Sequence, residues 1–192
     1  MKLFLKGSRC DSPKCAFERR ESPPGQQQYR RGKRTAYAIQ LREKQKVKHV
    51  YGVLERQFRR YFHTAERSKG NTGDLLLLLL ERRLDNVVHR LGFGQSRNQA
   101  RQIINHGHIT VNGRRVDVAS YLVQTGDVVR VKNRAKSLDM VRSNLSDNPR
   151  EVPDFLTVVE GDIPEGLVGR LPGPEDISAQ VETQLIVELC SR

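Results

Sequence analysis

Ser96-Arg97-Asn98-Gln99-Ala100-Arg101-Gln102-Ile103-Ile104-Asn105-His106-Gly107-His108-Ile109-Thr110-Val111-Asn112-Gly113-Arg114-Arg115-Val116 is the stretch on which the fold turns. Ser96 with Gln99 three residues later is a capping box, the pattern that opens a helix. Ala100, Ile103 and Ile104 form the buried stripe of that helix, and Gly107 closes it. At about 3.6 residues per turn, Arg97, Asn98, Arg101 and Asn105 fall within one arc beside the stripe, a surface of two cationic and two amide side chains shaped to grip a polyanion backbone. A strand follows, then Asn112-Gly113, then a returning strand, which is the strongest short-range hairpin signal. Its tip presents Arg114 and Arg115. His106 and His108 flank the glycine between helix and hairpin. No thiolate or carboxylate cluster accompanies them in sequence, so capping or hydrogen bonding to a ligand is expected of them and metal binding is not.

Downstream, Thr125-Gly126-Asp127 turns into a further strand at 128–131, suited to pair with the hairpin before Lys132, Arg134 and Lys136. Upstream, one helix is expected from 74 to 91, with Leu80, Leu84, Val87, Val88 and Leu91 inward and Arg82, Arg83, Asn86 and Arg90 on the opposite arc, ended by Gly92. Two helices precede it. The first begins at Thr35, carries Tyr37, Leu41 and Lys44 on one face and stops at Gly52. In the second, Leu54, Phe58, Tyr61, Phe62 and Ala65 form an apolar stripe, with Arg56, Arg59, Arg60 and Arg67 largely off it as candidate phosphate contacts. The fold expected is therefore α+β: a helical lobe at 35–73 and a mixed lobe at 74–136, whose helix-helix-hairpin core with a small antiparallel sheet spans 82–136.

The ends differ from this middle. Residues 1–34 form an extended basic arm in which Ser22-Pro23-Pro24-Gly25 breaks regular structure and Arg19, Arg20, Arg30, Arg31, Lys33 and Arg34 crowd together. An anionic surface is the natural thing to order it. Residues 137–192 read as an acidic segment with one strand at 155–159, and the final run 185–190 is ambiguous between strand and helix.

Charge follows the same division. The chain of 192 residues carries 34 Lys and Arg against 22 Asp and Glu, a net charge of +12. Residues 1–69 hold 19 basic and 6 acidic residues, 70–136 hold 11 and 5, and 137–192 hold 4 and 11. A polyanion partner meeting the first two thirds is the implication, nucleic acid above all. The apolar run 75–80 is too short to span a membrane. Gly92-Phe93-Gly94 lacks the preceding strand and third glycine of a dinucleotide fingerprint, and no phosphate-binding loop, nucleophile elbow or metalloprotease helix is present, so neither catalysis nor a small-molecule substrate is indicated. Three cysteines make no disulfide framework, and a reducing cytosolic setting is the default. Cys10 and Cys15 supply half of a four-thiolate zinc site, with ordinary reduced cysteines the better reading. No cofactor is expected.

The stretch 82–131, with Arg83-Leu84-Asp85-Asn86-Val87-Val88 and Gly107-His108-Ile109-Thr110-Val111-Asn112-Gly113, resembles the RNA-binding domain of the bacterial-type small-subunit ribosomal protein four family. Lys14-Cys15-Ala16-Phe17-Glu18-Arg19-Arg20, Pro23-Pro24-Gly25-Gln26, Leu41-Arg42-Glu43-Lys44-Gln45-Lys46 and the terminal Cys190-Ser191-Arg192 extend the resemblance over nearly the whole chain. It implies a cytoplasmic ribosomal protein without enzymatic activity that binds 16S ribosomal RNA early, at a multi-helix junction in the 5′ domain. It also implies contact with small-subunit ribosomal protein five, an interface associated with decoding accuracy, and two lobes, with the C-terminus returning to the helical one. The residues assigned to RNA on this reading are Arg19, Arg20, Arg30, Arg31, Lys33, Arg34, Arg56, Arg59, Arg60, Arg82, Arg83, Ser96, Arg97, Asn98, Arg101, Asn105, His106, His108, Asn112, Arg114 and Arg115. Many family members carry a second cysteine pair upstream that completes a zinc site with the equivalents of Cys10 and Cys15. This chain starts at Met1 just before them, so either the start or the site has been lost; zinc is not assigned to the chain as given, and a longer native form could bind it. Similar RNA-binding modules are appended to pseudouridine synthases and to a tyrosine-activating tRNA ligase, but no stretch outside 82–136 is long enough for a separate catalytic domain. A free-standing RNA-binding factor is the remaining alternative, and the long basic arm argues against it.

Overall fold

The computed structural model describes residues 2–20, 25, 35–147, 151–159, 161–177 and 179–191. After a short turn at Gly7–Cys10 and the single-turn helix α1 (Ala16–Arg19), two lobes are built around separate apolar clusters.

The helical lobe consists of α2 (Ala36–Tyr51), α3 (Glu55–Arg67), α4 (Thr72–Glu81) and α8 (Thr183–Cys190). Thr35 caps α2 by accepting from the Ala38 N–H, and Gly52 ends it with φ +62°, a left-handed conformation that a side chain disfavours. Phe58, Tyr61, Phe62 and Ala65 of α3 face the core as expected, but Leu54 is 79% exposed because it stands outside the helix as its N-cap. On α2 the buried positions are Gln40, Lys44, Val47 and Tyr51, while Tyr37, on the same face but in the first turn, is exposed. The last run is a helix, α8, and it packs on α2 and α4. Glu55, at the start of α3, clasps α2: its carboxylate accepts from Lys44 Nζ and Lys48 Nζ at 2.8 Å each and from Arg59 Nε at 3.1 Å. Burial works against its ionisation, yet the three donors outweigh it and hold the carboxyl at about 2, below its ordinary 4.5.

The mixed lobe holds α5 (Leu84–Arg90), α6 (Arg97–Asn105), α7 (Ala135–Asp147) and a five-stranded antiparallel sheet of order β2-β1-β3-β5-β4. The strands are β1 (Ile109–Val111), β2 (Arg114–Arg115), β3 (Val128–Val131), β4 (Leu156–Val159) and β5 (Glu165–Val168). Asn112 and Gly113 both have positive φ, +50° and +77°, as the two-residue hairpin turn requires. Half of the expected capping box forms. Ser96 Oγ accepts from the Gln99 N–H at 3.2 Å, but Gln99 Oε1 takes the Gln95 N–H, and its amide reaches Asn144 on α7. Helix α7 and strand β5 go beyond what the sequence pattern predicts. The segment after 137 is thereby divided, its strands completing the sheet and α8 returning to the helical lobe.

The expected single helix from 74 to 91 is two. Leu76, Leu77 and Leu80 of α4 belong to the helical cluster, Leu84, Val87 and Val88 of α5 to the mixed one, so the lobes divide near residue 82 and not at 74. The break has a backbone cause. Leu84 N–H donates to Tyr121 O and Asp85 N–H to Ala119 O, while Arg82 O accepts from Val123 N–H, so the loop after the hairpin takes groups a continuous helix would have paired internally.

Between the two clusters lies a polar seam. Arg83 is fully buried; it grips Asp85 with Nε and Nη2 at 3.1 and 2.7 Å and donates to the Tyr61 hydroxyl at 2.8 Å. Glu81, also fully buried, accepts from the Tyr51 hydroxyl at 2.6 Å, from the Asn86 amide, and from Arg90 Nη2 at 3.2 Å. Asn86 Oδ1 accepts from Arg97 Nε at 2.8 Å, and the Arg97 guanidinium lies 5.1 Å from the Tyr51 ring centroid. Arg101 crosses to the helical lobe, donating to Gly52 O at 2.8 Å beside Asp85. Burial and the charge of Glu81 raise the Tyr51 hydroxyl well above its ordinary range, so it stays a donor.

Two consequences are measurable. Asp85→Ala leaves the Arg83 charge buried without its carboxylate, and urea denaturation is expected to show a loss of about 3–5 kcal/mol, the usual cost of breaking a buried pair; a loss under about 1 kcal/mol would show that Tyr61 and water suffice. For Glu55 the folded pKa is depressed, so its contribution is present above pH 4.5 and lost as pH falls towards 2. Glu55→Gln is therefore expected to be less stable than the parent at pH 7, with the gap narrowing in denaturation curves taken at successively lower pH from 4.5 down. A gap that does not change with pH would remove the ionic clasp from the account.

Candidate nucleic-acid interface

Exposed cations lie on both lobes. On α3 the side opposite the core carries Arg56, Arg59, Arg60, His63, Arg67 and Ser68, which with Thr64 line an open depression of about 580 Å³. Arg59 leans on Glu55, whereas Arg56, Arg60 and Arg67 have no carboxylate within 4 Å among the described residues. The Arg101–Gly52 bond brings α6 against the turn that leads into α3. Asn98 and Asn105 are exposed on α6, followed by exposed His106 at its end. Beyond it the Arg115 guanidinium lies over Gly107, where a Cβ would strike Nε and Cζ, and Arg114, its neighbour in β2, is exposed as well. Arg134 and Lys136 are exposed at the start of α7, and Lys132 is half-buried. Such a surface offers many independent phosphate contacts and no enclosed site for a small substrate.

His108 sits under this corner, half-buried, with Nδ1 2.9 Å from Ser137 Oγ. Burial first, then the neighbouring charges of His106, Arg134 and Lys132, press its pKa below the ordinary 6.5, so at neutral pH it is a neutral hydrogen-bonding group linking α7 to the hairpin. Asn112 is also engaged within the protein: its amide donates to Asp127 Oδ1 at 2.8 Å and its oxygen accepts from the Val128 N–H at 2.9 Å, pinning the hairpin turn.

The candidates named from sequence thus separate. Arg19, Arg20, Arg56, Arg59, Arg60, Asn98, Asn105, His106, Arg114 and Arg115 are exposed. Arg30, Arg31, Lys33 and Arg34 lie outside the described residues. Arg83 is a correction: it is fully buried and cannot reach an outside phosphate, because Asp85 two residues on and Tyr61 from α3 enclose its guanidinium. Asn86, expected on an outer arc, is buried, its amide donating to Glu81 and its oxygen accepting from Arg97 Nε. Arg82 is half-buried and donates to Val123 O at 3.2 Å, Ser96 caps α6, and Arg97 and Arg101 serve the seam, Arg101 keeping a third of its side chain exposed. The arc of Arg97, Asn98, Arg101 and Asn105 is therefore no uniform outer surface. Arg134 and Lys136 add to these cations where periodicity offers no signal, and His63 joins the arginines of its own helix, where the polar arc of α3 could have pointed to it, with Ser68 just past the helix end.

Cys10 and Cys15 are both buried in the N-terminal segment, where Cys10 Sγ accepts the Lys6 N–H at 3.3 Å. Hydrogen bonds from the Phe17 and Glu18 N–H groups favour the Cys15 thiolate and lower its pKa. A structural zinc ion requires four donors. Among the described residues no group of three or more His, Cys, Asp or Glu gathers there or elsewhere, so the donors present do not fit a complete site. No helix among the described residues is long and apolar enough to cross a membrane.

Comparison with known proteins accounts for both lobes. Residues 1–81 match the ribosomal protein S4/S9 N-terminal domain, and residues 82–129 match the S4 domain, the junction falling at the break between α4 and α5. The small ribosomal subunit protein uS4 of Thermodesulfovibrio yellowstonii is 51% identical over 193 residues, that of Thermoanaerobacter pseudethanolicus 53% over 192 and that of Thermus thermophilus 52% over 195; each alignment covers all of this chain and 92% of the relative. Two matched domains in sequence and identity of this order along the full length leave one conclusion: the chain belongs to the uS4 family of small ribosomal subunit proteins, a structural and non-enzymatic family.

Proposed function

We propose that this protein is a structural constituent of the small ribosomal subunit that binds 16S ribosomal RNA through the band running from α3 across α6 to the hairpin and the start of α7. The observation that carries the reading is the presence of exposed cations on both lobes, with Arg56, Arg60, Arg67 and Arg114 unpaired by carboxylate among the described residues. Surfaces of this kind take most of their affinity from phosphates and their selectivity from the shape of folded RNA. A multi-helix junction in the 5′ domain is the RNA shape that suits two faces presented at a fixed angle, and early binding there would nucleate subunit assembly. The acidic balance of residues 137–192 supports contact with a second protein, small-subunit ribosomal protein five, and through it a contribution to translational accuracy in the cytoplasm.

Filter binding of 16S ribosomal RNA across several salt concentrations, with a length-matched unrelated RNA as competitor, tests this. Each phosphate contact removed from Arg56→Ala, Arg60→Ala and Arg114→Ala variants is expected to weaken binding and to lower the salt slope by roughly one. Because all three side chains are exposed, the melting temperature should stay within a few degrees of the parent. An unchanged slope would move the RNA to another surface, and equal binding of both RNAs by the parent would leave only a generic basic RNA binder.

A further inference from the structure

The two apolar clusters are separate, and although Leu122 from the loop after the hairpin packs on the helical one, the side chains that meet between them include a connected set of polar groups. Of the two chain crossings between the lobes, the first, Arg82 and Arg83, lies outside both α4 and α5, and the second leads from β5 to α8. Around the first, the boundary is bridged by hydrogen bonds of fixed direction: Tyr61 with Arg83, Glu81 with Asn86 and Arg90, Gly52 O with Arg101. Arg90 reaches further, donating also to Asp176 O at 2.8 Å, so the returning tail is tied into the same joint. Apolar faces of similar area tolerate sliding, whereas a bidentate guanidinium holds one geometry.

At this joint α6 meets the turn that leads into α3, through Arg101 and Gly52 O. Arg56 stands in the first turn of α3, shortly after Gly52, and Arg101, which binds Gly52 O, shares α6 with Asn98 and Asn105. We propose that the seam is a positioning device for RNA selection: it holds the α3 face and the α6–hairpin face at one spacing and angle, so that only RNA with phosphate tracks in the matching arrangement engages both. The inference rests on the RNA-binding reading above and adds that Tyr61, Glu81, Arg83 and Arg90 set specificity without touching RNA. Two binding faces joined rigidly at the right span share a high effective concentration for a matching target, and loosening the joint reduces that advantage while leaving each face intact.

The test is a double variant that conserves charge, Tyr61→Phe with Arg90→Lys. It removes the hydroxyl that receives Arg83, and a lysine cannot serve Glu81 and Asp176 O together. Residual dipolar couplings of the free protein report whether the lobes share one alignment tensor. Competition binding reports the preference for 16S ribosomal RNA over a length-matched unrelated RNA. One tensor is expected in the parent and two in the variant, with the preference reduced roughly tenfold while affinity for the unrelated RNA and the salt slope are unchanged. A purely structural seam would lower the melting temperature and leave the preference alone, which overturns the proposal, as does a variant whose lobes still align as one body. If the double variant fails to fold, Tyr61→Phe alone carries the same two readouts. A parent that shows no preference would defeat the RNA reading itself, a result distinct from failure of the joint because the tensors are read without RNA.

Discussion

The rest of the structure depends on one guanidinium. Arg83 has no solvent access, so its charge must be answered inside the protein, and Asp85 answers it with both carboxylate oxygens while Tyr61 takes a further donor. Burial alone would press such a group toward neutrality, but the hydrogen bonds and charge of Asp85 reverse that and raise its pKa. An arginine this deep is worth little as net stability, because desolvation offsets most of the attraction. Its consequence is geometric. It stands at the point where one run of helical sequence becomes two helices, and it ties the second to a tyrosine on α3. The partner lobe is thereby fixed in orientation as well as attached.

The same fact explains which parts of the molecule are legible in the sequence. Elements whose boundaries are set locally can be read: Thr35 and Gly52 around α2, Ser96 at α6, Asn112-Gly113 in the hairpin, and the alternation of β3. Their signals are caps and turns, which act between near neighbours. What escapes such reading is decided at long range. The helix through 82–85 is unwound by backbone partners at 119–123, far along the chain, which no local pattern announces. The strand β5 is short and contains Gly166, whose missing side chain makes room for Leu91 just after α5, so neither propensity nor alternation marks it. In α7 the buried positions Ser137, Val141 and Asn144 keep a helical spacing but two of the three are polar, one bonding His108 and the other Phe93 O. A search for a hydrophobic stripe therefore passes over this helix.

The candidate site is legible in its extent and not in its membership. Composition locates the charge in the first two thirds of the chain, and the helical arcs put arginines on α3 and α6. An arc, however, says which side chains share a face; it does not say whether that face meets solvent or another helix. On α3 it meets solvent. On α6 the first turn of the arc meets α2 and α5, so Arg97 and Arg101 serve the fold while Asn98 and Asn105 remain outside. The nearest sequence clues are Glu81 and Asp85, carboxylates two residues to either side of Arg83, and carboxylates in a basic domain are where structural arginines are to be sought.

The acidic tail makes sense on the same terms. Its carboxylates find partners away from the band: Glu165 with Arg130, Asp176 with Arg170, and Glu188 with the amide of Gln40. Inside the fold, Asp85 and Glu81 meet the arginines of the seam. A chain with 22 acidic residues has enough of them to pair much of its positive surface, yet the exposed cations of α3, the hairpin tip and the start of α7 are largely left out of that pairing among the described residues. Scattering the same charges evenly would give a similar net charge and a weaker local field. Concentrating compensation where the chain must hold itself together, and withholding it along one band, is what turns a basic protein into one with a direction from which a polyanion is attracted.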